Sequence, residues 1–129
     1  MDEVSEYRNS ILECLAQASF HKEESRKKII DSKEIYLILH SLNDFHYKIL
    51  LSDLNLILSL SRSQKATKNI LVDYDINETL FKLSNHQNIE IQIASTNSLC
   101  NFLLETVHYL YYIRIQVKSQ KILTNCLKF

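Results

Sequence analysis

A hydrophilic pattern recurs along this chain at steps of 42 residues, and that recurrence limits the folds open to it. At helical pitch Glu90, Ala94, Asn97, Asn101 and Glu105 share one stripe of a helix expected over residues 88–105. One step earlier the stripe holds Lys48, Ser52, Asn55, Ser59 and Ser63, and two steps earlier Glu6, Ser10, Glu13, Gln17 and His21. The second place is always small (Ser10, Ser52, Ala94), and the third and fourth are polar groups of modest size. A period near 42 falls in the range of two- and three-helix solenoid units, which stack because none buries its apolar face alone. On the 88–105 helix, Ile89, Ile93, Leu99, Cys100, Phe102, Leu103 and Leu104 cover most of the remaining circumference, which predicts burial on more than one side.

The composition fits stacked helices. Glycine and proline are both absent, which disfavours the tight turns and bulges of β-rich folds and suits helices with short polar connections. A length of 129 residues is one domain's worth, and 46% hydrophobic against 23% charged residues argues against disorder. The most apolar run, Val107 to Val117, is short and holds His108 and Arg114, so no membrane insertion is expected. Asp2 and Glu3 after Met1 argue against a secretory signal.

Fifteen basic and fifteen acidic residues give no net field to attract nucleic acid. The charges are uneven, with Asp2, Glu3, Glu6 and Glu13 at the start and Arg114, Lys118, Lys121 and Lys128 at the end. Cys14, Cys100 and Cys126 are widely spaced and odd in number, as suits reduced thiols in the cytosol or nucleus. The Asn77-Glu78-Thr79 sequon then carries no weight.

Taken in order, the chain predicts a first helix from about Asp2 to Ser19 that buries Val4, Ile11, Leu12, Leu15 and Ala18. A short solvated helix leads into Ile29 and Ile30, and Ser32 is a candidate N-cap for a helix burying Ile35, Ile38, Leu39 and Leu42. A second long helix spans Phe45 to Ser61, with Ile49, Leu50, Leu54, Ile57, Leu58 and Leu60 inward. A short helix around Lys68 to Val72 follows, then one opened by Asp75 and Glu78 as a capping box that buries Ile76, Leu80 and Leu83. Beyond Val107 the residues are aromatic and β-branched, and a further helix or pair of helices packing on the last unit is expected, since a lone strand would have no partner.

No catalytic, metal or cofactor site is predicted. Asp73, Asp75 and Asn77 begin a calcium-loop pattern, but Glu78 stands where the loop needs glycine and Ser84 where it needs glutamate. His21, His40, His46, His86 and His108 lack ligand spacing, and Cys100 lies among apolar residues as a core thiol would. Without glycine there is no phosphate loop, and Glu23 and Glu24 point to different faces of a solvated helix.

The stretch Ile91 to Glu105, with Leu99-Cys100-Asn101-Phe102 at its centre, resembles the third helix of an armadillo repeat, and the expected helices at 68–72 and 76–83 resemble its first and second. Within that family it is most similar to the armadillo scaffold subunits of GID/CTLH ubiquitin-ligase complexes. The resemblance implies an all-α, armadillo-type α-solenoid of roughly two and a half repeats over residues 1–106, with a divergent basic and aromatic segment at 107–129. It implies a non-catalytic scaffold in regulated protein degradation, whose partners are proteins such as other ligase subunits or a substrate receptor, with no cofactor and no small-molecule ligand. Third helices line the concave groove of armadillo proteins, which would place Glu13, Gln17, Asn55, Ser59, Asn97 and Asn101 there. Two alternatives stand beside this reading. The stripe is an ordinary solvated face, or the chain is a compact helical bundle acting as a structural or oligomerisation subunit.

Overall fold

Short polar side chains, rather than glycine, cap several of the helix ends. A computed structural model describes residues 2–44, 46–63 and 76–127, with the backbone alone at 105–113, 117 and 119–127. The Asp2 carboxylate accepts the Ser5 amide at 2.8 Å and opens helix α1, Glu3–Phe20. That hydrogen bond also holds the Asp2 carboxyl below its ordinary pKa. At the other end of α1, Arg26 donates to the carbonyls of Ser19 at 2.8 Å and Phe20 at 3.1 Å, satisfying acceptors that no helical amide reaches.

Helix α2, Glu23–Asp31, starts with two acids at its positive end. Ser32 closes this helix rather than opening the next: its hydroxyl donates back to the Ile29 carbonyl at 2.7 Å, and α3, Ile35–Ser41, begins without a side-chain cap. Asp44 then accepts the His46 amide at 2.8 Å, turning the chain into α4, Tyr47–Leu60. The expected helix at 68–72, Asp75 of the capping box, Asp73 of the calcium pattern and Phe45 lie outside the described residues. Helix α5 spans Ile76–Leu83, and Asn88 caps α6, Ile89–Leu127, by accepting the Glu90 and Ile91 amides at 2.9 and 3.3 Å.

Helix α4 is the centre of the molecule. Leu54, Leu56, Ile57 and Leu60 are wholly buried, as befits a helix apolar around most of its circumference. It packs against α1 on one side and α6 on the other, α5 packs on α6, and α2 and α3 close the face behind. Any direct contact between α1 and α6 is marginal. One apolar cluster runs through these elements from Leu12 to Phe102. The described residues are all-helical or connecting, which fits an armadillo-type helical fold.

Three expectations are corrected. Val4, Ile11 and Ala18 are exposed, so α1 buries a narrower face centred on Leu12. Helix α6 is buried on one side, through Ile91, Ala94, Ser95, Ser98 and Phe102, while Ile89, Ile93, Leu103 and Leu104 stay exposed because α4 and α5 meet only that side. Cys100 and Cys14 are exposed free thiols rather than core residues. The C-terminal stretch continues α6 without interruption, giving a helix of 39 residues, about 58 Å long at 1.5 Å per residue. Among the described residues no helix is long and apolar enough to cross a membrane.

Candidate protein-interaction trough

Serine hydroxyls, among them Ser52 and Ser59 of the recurring stripe, join the long helices. Ser19 and Ser59 hydroxyls meet at 2.7 Å between α1 and α4, and the Ser52 hydroxyl donates to the Asn9 side chain. On the other side of α4, the Asn101 amide donates to the Ser61 hydroxyl at 2.8 Å. Ser19, Ser59 and Ser61 are buried; Ser19 and Ser61 also donate to the Ala16 and Leu58 carbonyls, so the interhelical bonds pair the Ser59 hydroxyl and use the acceptor side of the other two. Sequence reading passed over Ser19 and Ser61, although they lie 42 residues apart, the step already seen in the stripe.

Above this seam two grooves run between the helices. Glu13 and Gln17 from α1, with Asn55 and Ser59 from α4, line a groove of about 530 Å³ floored by Ala16 and Leu58. Asn55 and Leu58 also line the next one, about 280 Å³, with Asn97, Glu90, Ile93 and Ala94 of α6. The two therefore form one trough across α1, α4 and α6. Of the six residues assigned from sequence, Glu13, Gln17, Asn55 and Asn97 are exposed on it, Ser59 is 2% exposed and bonded to Ser19, and Asn101 is half-buried against Ser61. Sequence spacing identified the shared face but could not separate the residues that hold helices together from those that face outward.

Two further features escaped the sequence. At the C-terminal end of the first groove, the Arg62 guanidinium lies 4.1 Å from the centre of the Phe20 ring. Behind the trough, Asp53 of α4 is wholly buried, and neither carboxyl oxygen has a hydrogen-bond partner among the described residues. Burial pushes its pKa up to about 8; the nearby Arg8 opposes this and Asp44 adds to it. Arg8 itself is paired with Asp44 at 3.4 Å and donates to the Ser41 hydroxyl. A single aspartate in an apolar helix gives no sign in sequence of whether it finds a partner. Among the described residues no three His, Cys, Asp or Glu side chains converge as a metal site would require.

The trough presents a polar surface, with exposed amides able to donate and accept together and the half-buried Ala16 and Leu58 between the helices.

Comparison with known proteins agrees. The chain is 31% identical over 96 residues to GID complex subunit 5 of Schizosaccharomyces pombe, covering 74% of this chain and 12% of that protein. It is 28% identical over 101 residues to Armadillo repeat-containing protein 8 of Xenopus laevis, and 29% identical over the same length to the protein of that name from Pongo abelii; each match covers 78% of this chain. The chain spans only 12% to 15% of the length of these relatives. No family model and no solved structure matches it. Over about three quarters of its length the chain is homologous to these proteins at modest identity, which supports an armadillo-type family.

Proposed function

We propose that the chain is a non-catalytic scaffold for protein–protein contacts, built from armadillo-type units of period 42 and acting in a GID-type ubiquitin-ligase complex. The observation that carries this is a repeated bond. Ser19 of α1 meets Ser59 of α4, and Ser61 of α4 meets Asn101 of α6; both partners of the second pair stand 42 residues after their counterparts in the first. The same step relates Glu13, Asn55 and Asn97 on the trough. Neighbour-to-neighbour packing in the order α1, α4, α6 favours a stack over a bundle with one shared centre.

In this reading residues 1–106 correspond to one third helix followed by two repeats, and residues 107–127 extend the last third helix. A partner lies in the trough, taking hydrogen bonds from Asn55 and Asn97 and placing apolar groups over Ala16 and Leu58. The name of the relative from Schizosaccharomyces pombe supplies the kind of assembly, and its partners are the first to test. Affinity purification of the tagged chain with mass spectrometry should recover subunits of a GID-type complex. Recovery of the chain alone, as a self-associated species, would contradict the scaffold reading and favour an oligomerisation subunit.

A further inference from the structure

The groove between α1 and α4 carries opposite charges at its two ends. Glu13 stands exposed at one end. Eight residues along α1, about 12 Å at helical rise, His21 and Phe20 form the other, with the Arg62 guanidinium over the Phe20 ring. Arg62 and His21 are both exposed, and neither is ion-paired among the described residues. Neighbouring Arg26 differs, since Glu23 and two backbone carbonyls take up its guanidinium. The Arg62 guanidinium is held against the Phe20 ring, 4.1 Å from its centre, and an exposed guanidinium suits a carboxylate. At the far end the Glu13 carboxylate accepts, among the described residues, the neutral donors of Asn9 and Ser52.

We infer that this groove selects an extended protein segment bearing opposite charges on adjacent residues, the cation turned toward Glu13 and the carboxylate toward Arg62. The inference rests on the trough being the partner surface. An extended form follows from the asparagines: each amide can pair with a whole peptide group, and only an extended backbone leaves its peptide groups free. In such a segment successive side chains turn to opposite sides, so a chain crossing from α1 to α4 directs one residue to each end of the groove. Two long side chains spreading from one backbone span a gap of this size, and an apolar neighbour rests on Ala16 and Leu58.

The test uses the full chain and four fluorescent ten-residue peptides of serine and leucine, with Lys-Glu, Lys-Gln, Gln-Glu or Gln-Gln at the centre. By fluorescence polarisation at low salt, the Lys-Glu peptide should bind about threefold tighter than either singly charged peptide, the scale of an exposed ion pair. The advantage should vanish at about 0.5 M salt. Arg62→Glu should make the Lys-Gln peptide the best of the four, and Glu13→Lys should do the same for Gln-Glu; circular dichroism checks that each variant is folded. Equal binding of all four peptides to the unaltered chain overturns the charge selectivity while leaving the groove as a peptide site. Binding by none of them overturns both. Should a variant not fold, the peptide series on the unaltered chain decides.

Discussion

Asp53 is the residue whose environment departs furthest from what its chemistry prefers. A buried carboxyl without hydrogen-bond partners is far cheaper neutral than charged, so the folded chain holds a proton on it up to about pH 8. The unfolded chain releases that proton near the ordinary value of 3.8. Between these two values the folded state binds more protons than the unfolded one, and stability therefore falls as pH rises, by at most about 1.4 kcal/mol per unit from this group. Below 3.8 the group costs nothing, and above about 8 the loss is complete. Asp53→Asn keeps the shape and removes the titration. Urea unfolding at pH 5 and pH 8 should show the variant gaining on the unaltered chain by several kcal/mol (~1.4 per unit) across the interval. Parallel curves for the two proteins would mean that Asp53 finds a partner or water after all. Sequence could not foresee this, because the next turn of α4 offers Ile49, Leu56 and Ile57, and the nearest charges come from residues 8 and 44 on other elements.

Among the elements, α4 was the most legible and α6 the least. Its apolar residues at Ile49, Leu50, Leu54, Ile57 and Leu60 are all buried as their periodicity indicates, with Leu58 left half-buried on the groove floor. α6 misled because its apolar residues surround the helix while its neighbours cover one side only; periodicity reports which faces are apolar, not how many partners exist. The helix expected beyond Val107 is present as an uninterrupted continuation of α6. These differences have consequences for stability. Leu54→Ala, at the point where α4 is wholly buried between its neighbours, should cost about 2–5 kcal/mol in chemical denaturation, the price of a buried cavity. Leu104→Ala, on the exposed side of α6, should cost less than about 0.5 kcal/mol. Similar losses at the two sites would mean that the outer face of α6 is covered in the folded chain.

At the scale of the whole molecule, a step of 42 residues ties the sequence to its architecture. It was visible because small and polar residues recur where α4 meets α1 and α6, and the bonds Ser19–Ser59 and Ser61–Asn101 give that recurrence a physical cause. The trough itself was legible as a set of positions: Glu13, Gln17, Asn55 and Asn97 do face one surface. Its charge asymmetry was not, since Phe20 and Arg62 meet only once α1 and α4 are packed. The chain is homologous to much longer proteins named as a GID complex subunit and as armadillo repeat-containing, and in the proposed function the exposed amides are what it offers a partner. The most direct test of that account is quantitative affinity purification of the chain and its Asn55→Ala, Asn97→Ala double variant, with helicity monitored in parallel. The account predicts that GID-type subunits recovered with the unaltered chain fall at least about tenfold with the variant, two lost hydrogen-bonding amides at about 1 kcal/mol each, while helicity is unchanged; equal recovery by both proteins would contradict it.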